Sequence, residues 1–169
     1  MGSTGVRPRD LRDLQVRDVD DYKWLHVRSS KTHTRRKVPI AEGLQQYLRL
    51  WLEHGFWDAC AYAEKTDYLI PGEHTEQLGE RTVQEVVHEA AKSAGIQEVI
   101  FRDAQGRKKH RIIPYSFRYG YANHMKKQVD PETLQSLMSH ESVTTTMKFY
   151  TAASEEELAE TAAVAPDPG

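Results

Sequence analysis

Four separated stretches of the chain carry side chains that together could do chemistry on a phosphate ester. They are Thr4-Gly5-Val6-Arg7 with Asp10, Lys31-Thr32 followed by Arg36-Lys37-Val38-Pro39-Ile40, Tyr115-Ser116-Phe117-Arg118, and Leu137-Met138-Ser139-His140 with Phe149-Tyr150. Guanidinium groups match phosphate oxygens in a bidentate way, and a lysine can protonate a departing alkoxide. A tyrosine, whose pKa is about 10, becomes a nucleophile only when cations lower that pKa or a base removes the proton. The set is consistent with one phosphoryl-transfer site that needs no metal.

The sequence lacks the motifs of several other chemistries. It contains no Gly-rich phosphate loop, no His-Glu-x-x-His, no Gly-x-Ser-x-Gly and no acidic pair in a recognisable metal-nuclease spacing. The eight histidines are scattered, and no two lie three or four residues apart. Because Cys60 is the only cysteine, neither an intrachain disulfide nor a cysteine-based zinc cluster can form. We therefore expect no metal site and no cofactor.

The size and charge of the chain predict one domain with an uneven surface. The 169 residues are 38% hydrophobic and carry a net charge of −2, which suits one compact domain and excludes a disordered chain. No apolar run reaches the roughly 20 residues that span a bilayer. The net charge is +5 over residues 1–40, −7 over 41–99, +7 over 100–127 and −7 over 128–169. The two basic blocks could meet in one cationic face, or they could be ordinary solvated surface charge.

The elements that must position these side chains begin with a small sheet. Pro8 suits the first position of a short helix, and residues 16–19, 24–28 and 35–40 are predicted to form three short strands, with a polar turn over 29–34. The spacing of apolar residues predicts helices around 44–52 and 83–91. Residues 103–106 are expected to form a turn, followed by a basic arm over 107–111.

The last third of the sequence is predicted to be helical. Helices are expected over about 115–127, from Asp130-Pro131, from about 142 to 150, and from Ser154, which stands in capping-box spacing with Glu157. The predicted fold class is therefore α+β and mainly helical, with a small three-stranded antiparallel sheet near the N-terminus.

Together, the four stretches resemble the catalytic domain of the tyrosine recombinases, the phage integrase family. In that family, Thr-Gly-x-Arg followed three residues later by an acidic residue supplies a first arginine, which matches Arg7 with Asp10. A lysine in a β-turn before Arg-x-Val-Pro matches the stretch from Lys31 to Ile40. A His-x-x-Arg box supplies the second arginine, which matches Arg118. A Gly-His pair about nine or ten residues before the tyrosine matches His140 and Tyr150. The resemblance covers about residues 4–153.

The resemblance implies a reaction and a role for each matched residue. Tyr150 would attack a DNA phosphodiester and form a 3′-phosphotyrosyl link, while Lys31 would protonate the departing 5′ oxygen. The remaining matched residues would hold the non-bridging oxygens or position a neighbouring group: Arg7, Arg118, His140 and Tyr115. The resemblance implies the tyrosine recombinase catalytic-domain fold. It also implies a reaction that requires neither a metal ion nor a cofactor.

Three positions depart from the family pattern. Tyr115 stands where a histidine usually opens the His-x-x-Arg box, Tyr119 stands where a second histidine is common, and Ser139 replaces the glycine before His140. A phenol can hydrogen-bond a phosphate, but it is a poor base near neutral pH. Tyr115 is therefore expected to position a group rather than to act as a general base.

The partner that the resemblance implies is double-stranded DNA, bound mainly through its phosphates. The predicted contacts are Arg9, Arg12, Arg35, Arg36, Arg107, Lys108, Lys109 and Arg111. We expect the catalytic domain over residues 1–161, in a fragment that lacks the family's preceding DNA-clamping domain, and a disordered tail over 162–169. The fragment would be monomeric alone and cytoplasmic, with no membrane contact, whereas family members assemble as tetramers on DNA through C-terminal exchange.

Three other functions remain compatible with the sequence. The chain could be an inactive DNA-binding remnant of an integrase, a type IB topoisomerase-like enzyme that relaxes DNA through the same tyrosine ester, or a helical protein-interaction domain. A trapped covalent adduct would separate the first from an active enzyme. Relaxation of supercoils without strand exchange would indicate the second, and loss of DNA retention at low salt would indicate the third.

Overall fold

A computed structural model describes residues 1–29, 34–138 and 143–151 of the chain. Two units are distinguished, Met1–Tyr121 and Ala122–Gly169. The first unit begins with helix α1 (Pro8–Arg12), a 3₁₀ turn (Val16–Asp18), and strands β1 (Val19–Asp20), β2 (Trp24–Arg28) and β3 (Arg35–Pro39). These strands form an antiparallel sheet in the order β1-β2-β3.

Helices dominate the remainder of the described chain. The first unit continues with α2 (Glu42–Glu53), a 3₁₀ turn (Ala63–Lys65), α3 (Glu80–Ser93) and a hairpin of β4 (Val99–Arg102) and β5 (Lys108–His110). Helix α4 (Pro114–Met125) starts in the first unit, and the second unit contains α5 (Pro131–Met138) and α6 (Val143–Thr151). The predicted α+β, mainly helical class with a small three-stranded sheet is confirmed. None of the helices in the described ranges combines the length and apolar character needed to cross a bilayer.

The sheet owes its buried face to the alternation of side chains along β2 and β3. Leu25 and Val27 of β2 and Val38 of β3 are buried, and the residues between them are more exposed. In the register of the sheet, Leu25 lies opposite Val38 and Val27 lies opposite Arg36. Because side chains two residues apart share a face, Arg36 lies on the same inner face as Val38.

The hydrophobic core of the first unit lies against this inner face. Its other buried members are Val6, Leu14, Ile40 and Leu69, and α2 packs partly buried apolar side chains against them. Trp51 of α2 donates its indole N–H to the carbonyl oxygen of Leu69 at 2.8 Å. The segment after α2 is thereby tied to the core that supports α1 and the sheet.

Two local predictions need correction. The strand predicted over 16–19 is wrong in its first three residues, because they form a 3₁₀ turn that is closed by a bond from the Gln15 N–H to the Asp18 carboxylate at 2.9 Å. The turn over 103–106 is present, but the strands on either side of it were not predicted. Their sequence does not alternate, and all four residues of β4 are exposed, so no buried face marked the strand.

In the second unit, Asp130 begins α5 as predicted. Its carboxylate accepts hydrogen bonds from the backbone N–H of Thr133 at 2.9 Å and from the Thr133 hydroxyl at 2.6 Å, as an N-cap does. Leu134 and Met138 are buried. The predicted domain end at 161, the helix from Ser154 and the tail over 162–169 lie outside the described residues and stay predictions.

Candidate functional site

Arg7 and Asp10 form the base of the candidate site at the start of α1. Arg7 is the N-cap residue and Pro8 occupies the first turn, the position at which proline is compatible with a helix. One turn later, the Asp10 carboxylate is buried, with one oxygen 3.7 Å from Nη1 of Arg7. The Arg7 side chain keeps 19% of its surface exposed. The buried carboxylate therefore fixes the guanidinium, while part of the Arg7 side chain stays accessible.

Arg118 of α4 joins this site from more than a hundred residues away. It is only 5% exposed, and its Nη1 donates a hydrogen bond to the carbonyl oxygen of Gly5. Gly5 has φ = +61°, a left-handed conformation that glycine adopts without the strain of other residues. The glycine of the Thr-Gly-Val-Arg stretch thus shapes the backbone that receives Arg118, two residues before Arg7.

A third guanidinium of the first unit, that of Arg36, acts on Arg118. Burial lowers the pKa of Arg118 to about 10, and the charges of Arg7 and Arg36 lower it in the same direction. Asp10 and Tyr115 act in the opposite direction. Geometry agrees with this placement, because Val6, the residue before Arg7, is buried in one cluster with Val27 and Val38, the neighbours of Arg36 in the sheet. The bond to the Gly5 carbonyl brings Arg118 to the same segment.

Arg36 occupies a different place from the one that its predicted role suggested. The sequence placed it among outer contacts to DNA phosphates, but its Nε and Nη2 atoms are buried. Burial lowers its pKa to about 10, with Arg7 lowering it further and Asp10 and Tyr121 raising it. Its neighbours Arg35 and Lys37 are exposed on the other face of β3.

Tyr115 lies near this cluster with a largely accessible side chain. It is 47% exposed and, together with Pro8, lines an open cleft of about 720 Å³ beside α3 and β5. Tyr115 stands three residues before Arg118 on α4, so the two side chains leave the helix on the same side. This arrangement is compatible with positioning an anion or a neighbouring side chain.

Tyr150, the predicted nucleophile, belongs to the second unit. Its hydroxyl donates a hydrogen bond of 2.7 Å to the carbonyl oxygen of Val129. Burial raises the pKa of Tyr150, and the negative charge of Asp130 raises it further. A carbonyl oxygen can accept a hydrogen bond but does not remove the proton, so the hydroxyl is in its protonated form here.

Two of the six predicted catalytic residues, Lys31 and His140, lie outside the described residues, as does Ser139. Their roles stay predictions. The described part of the chain brings Arg7, Arg118 and Tyr115 together within the first unit, where Asp10 and Arg36 complete the cluster.

The remaining predicted DNA contacts are mostly exposed cations. Arg9, Arg35 and Lys108 are exposed, whereas Arg12 donates from Nε to the Leu78 carbonyl oxygen at 2.7 Å. Three cations of the predicted basic arm have acidic neighbours: Arg107 and Lys109 pair with Asp103 at 2.7 and 3.4 Å, and Arg111 pairs with Glu98 at 2.7 Å. Exposed ion pairs of this kind are weak, so a phosphate could replace the carboxylate at modest cost.

Sequence reasoning missed two features of the site. The inward position of Arg36 was available from the alternation of β3, where it stands two residues before the buried Val38. The Val129 carbonyl that holds Tyr150 had no signal in the sequence, because any residue offers a carbonyl oxygen.

Comparison with known proteins identifies the family of the chain. Residues 1–157 match the sequence model of the Phage integrase family. The tyrosine recombinase XerC of Mycobacterium sp. (strain KMS) is 30% identical over 149 residues, which cover 87% of this chain and 45% of the relative. XerC of Staphylococcus aureus (strain USA300 / TCH1516) is 30% identical over 159 residues, which cover 92% of this chain and 47% of the relative. The chain thus spans about half the length of the curated relatives it matches.

Solved structures share the fold. The crystal structure of XerA recombinase superimposes with a TM-score of 0.73 at 25% identity, covering 98% of this chain and 56% of that one. The XerH site-specific recombinase bound to its difH substrate gives a TM-score of 0.65 at 18% identity, covering 96% and 44%. The match over residues 1–157, with the arginine cluster at the positions of the motifs, shows that this chain belongs to the phage integrase family of tyrosine recombinases.

Proposed function

We propose that the chain is the catalytic domain of a site-specific DNA recombinase or integrase, which cuts and rejoins DNA through a 3′-phosphotyrosyl intermediate. The observation that carries this proposal is the meeting of Arg7 and Arg118 around Asp10. Two partly buried guanidinium groups from distant parts of the sequence are a suitable receptor for the non-bridging oxygens of a phosphodiester. Membership of the family supports the assignment of the reaction.

The proposed reaction exchanges one phosphate ester for another. The Tyr150 oxygen attacks phosphorus, a new bond from that oxygen to phosphorus forms, and the bond from phosphorus to the 5′ oxygen breaks. The phenol proton passes to solvent water, and Lys31 supplies a proton to the 5′ oxygen as it leaves. A 5′-hydroxyl of another strand can then reverse these steps, because the tyrosine ester keeps the phosphate in an ester bond.

The cations act by stabilising the charge that develops on the non-bridging oxygens. Arg7 is fixed by Asp10 and Arg118 by the Gly5 carbonyl, so neither guanidinium needs much reorganisation when the phosphate binds. We assign His140 to the same oxygens and Tyr115 to their positioning, in line with the family pattern.

Attack by Tyr150 requires the bond to the Val129 carbonyl to be given up. In the resting arrangement the hydroxyl hydrogen points to that carbonyl, and the pKa of the phenol is raised. We infer that the tyrosine changes its hydrogen-bond partner when the phosphate arrives.

The proposed partner is double-stranded DNA, as in the XerH complex with its difH substrate. We propose that residues 1–161 form the catalytic domain, that this chain by itself is a monomer, and that the protein assembles as a tetramer on DNA by C-terminal exchange. A DNA substrate also supports a cytoplasmic location.

Replacement of Tyr150 by phenylalanine tests the reaction directly. We expect Tyr150→Phe to bind DNA as the original chain does and to form no covalent adduct, because only the attacking oxygen is removed. The measurement is a denaturing gel of protein incubated with a nicked duplex, on which the leaving strand diffuses away and the adduct is trapped.

Tyr47→Phe is the matched control, since Tyr47 is 72% exposed on α2 and belongs to no part of the proposed site. It should form adduct at the original yield. Adduct of undiminished yield with Tyr150→Phe would refute the assignment. DNA retention without adduct in the unmodified chain would indicate an inactive binding remnant.

A further inference from the structure

We call the group of Arg7, Asp10 and Arg118 the anion site. We propose that Arg36 is its third arginine and binds the same phosphate as Arg7 and Arg118. This inference rests on the proposed function, because it identifies a further binding residue for that reaction. Arg36 would then act on the reacting phosphate rather than on the outer phosphates of the duplex.

The first argument is the geometry of β3. Side chains alternate along this strand, with Arg35 and Lys37 exposed and Val38 fully buried. Arg36 points to the inner face, opposite the buried Val27 of β2. An outer contact to DNA would need the opposite face, which Arg35 and Lys37 occupy.

The second argument is the balance of charge. Val6, the residue before Arg7, is buried in one cluster with Val27 and Val38, the neighbours of Arg36 in the sheet. The charge of Arg7 lowers the pKa of both Arg36 and Arg118, and the charge of Arg36 lowers that of Arg118. Among the described residues that act on these two groups, Asp10 is the carboxylate common to both. Like charges that act on one another in a partly buried environment repel. An anion that binds between them relieves this repulsion.

The third argument is the kind of anion that fits. A phosphodiester brings one negative charge on two non-bridging oxygens, and phosphoryl transfer develops more charge on them. Guanidinium forks can approach such oxygens in pairs. A third fork therefore adds the most stabilisation where the charge is largest, in the transition state.

A purely structural role for Arg36 makes a different prediction. If Arg36 only supported the sheet, its replacement would reduce cleavage of every substrate by the same factor. If Arg36 binds a non-bridging oxygen, its loss should matter less for a substrate whose scissile phosphate has lost that charged oxygen. A methylphosphonate, in which a methyl group replaces one non-bridging oxygen and the linkage is neutral, is such a substrate.

The experiment measures adduct formation on two nicked duplexes, one with a normal scissile phosphate and one with a methylphosphonate. Arg36→Gln should slow the reaction on the normal duplex by a factor on the order of a hundred, and by less than about tenfold on the methylphosphonate, as expected when the oxygen it contacts is missing. Arg36→Lys keeps the charge without the fork and should fall between the original chain and Arg36→Gln on the normal duplex.

Arg49→Gln is the matched control, since Arg49 is half-exposed on α2 and pairs with Glu53 at 3.7 Å. It makes the same chemical change outside the site and should leave both rates unchanged. Far-ultraviolet circular dichroism and urea unfolding of each variant show whether it folds.

The outcomes separate the two proposals. If the original chain forms adduct and Arg36→Gln shows no loss, or equal losses on both duplexes, the role of Arg36 is overturned and the proposed function stands. If the original chain forms no adduct on either duplex, the proposed function is overturned for this chain. Calorimetric binding of inorganic phosphate at constant ionic strength then decides the role of Arg36. We expect affinity to fall about tenfold or more in Arg36→Gln, and equal affinities in both chains would overturn the inference.

Discussion

The structure holds the hydroxyl of Tyr150 in its protonated form, which is a poor nucleophile. It donates to the Val129 carbonyl, and its pKa is raised first by burial and then by the charge of Asp130. A raised pKa means that the folded chain favours the neutral phenol over the phenolate. The proposed nucleophile therefore needs nearby cations that lower its pKa, or a change of position, before it can react at neutral pH.

Removal of the Asp130 charge should make the phenol of Tyr150 more acidic. We expect Asp130→Asn to lower the pKa of Tyr150, because a negative charge near the phenol disfavours a second one. The pKa is measured as the alkaline absorbance change of phenolate that disappears when Tyr150→Phe is introduced in the same background.

Glu132→Gln provides the control for this titration, since Glu132 is exposed in the first turn of the same helix, α5. The pKa of Tyr150 in the Glu132→Gln variant should equal its pKa in the original chain. An unchanged value in Asp130→Asn would contradict the electrostatic account of this residue.

Single residues were predictable from sequence where a motif fixes them and unpredictable where a backbone group is the partner. The motifs predicted Arg7 and Arg118, which the structure brings to the same segment, and they predicted Tyr150, whose role stays a prediction. The Gly5 and Val129 carbonyls, which hold Arg118 and Tyr150, were not predictable, because the sequence does not show which carbonyl a fold brings near a side chain.

At the level of elements, Gln97 fixes the segment that leads into α4. Its amide accepts a hydrogen bond from the Ile112 N–H and donates one to the Ile112 carbonyl oxygen, both at 2.9 Å. The same Nε2 lies 3.3 Å from Nδ1 of His88 on α3. Since α4 begins at Pro114 and carries Arg118, this paired contact sets where the helix starts.

Loss of the Gln97 side chain should destabilise the first unit. We expect Gln97→Ala to reduce the free energy of unfolding by about 1–2 kcal/mol, since two partly buried backbone bonds lose their partner. Urea denaturation followed by circular dichroism measures the change.

Gln46→Ala is the control, because Gln46 is exposed on α2 and its replacement removes the same side-chain atoms. It should change the free energy of unfolding by less than about 0.5 kcal/mol. Equal stabilities of the two variants would show that the contact to Ile112 contributes nothing.

The elements differ in how far the sequence could predict them. Strands β2 and β3 were predictable because Leu25, Val27 and Val38 alternate with exposed residues. Hairpin β4–β5 was not, because Val99-Ile100-Phe101 is a continuous apolar run with every residue exposed. Its turn was predictable, since Asp103 accepts bonds from the N–H groups of Gln105 and Arg107.

Over the whole molecule, charge is segregated along the sequence although the net charge is only −2. The blocks over residues 1–40 and 100–127 carry +5 and +7. Both supply arginines to the anion site, Arg7 and Arg36 from the first and Arg118 from the second. The two blocks also carry exposed cations, among them Arg9, Arg35 and Lys108.

The affinity for duplex DNA should fall steeply with salt. Each phosphate contact releases a condensed counterion, so the logarithm of the affinity constant should fall by about 0.9 per contact for each unit in the logarithm of salt concentration. Lys108→Gln, in the exposed hairpin, should reduce this slope by about one. Fluorescence anisotropy of a labelled duplex at several salt concentrations measures it.

Lys65→Gln gives the reference, because Lys65 is exposed within the acidic block over 41–99. Its salt slope should equal that of the original chain. A salt-independent affinity, or equal effects of the two lysine variants, would argue against the basic blocks as the DNA-binding face.

The left-handed backbone at Gly5 has a consequence for how this family should be compared across members. The residue contributes no functional group, yet its carbonyl receives Arg118 and its φ of +61° sets the path of the chain into Arg7. A survey that scores homologues only by their reactive side chains would pass over it. A homologue could keep both arginines and carry a bulky β-branched residue at this position. It would have the same reactive side chains but would lose the backbone conformation that brings the two arginines together.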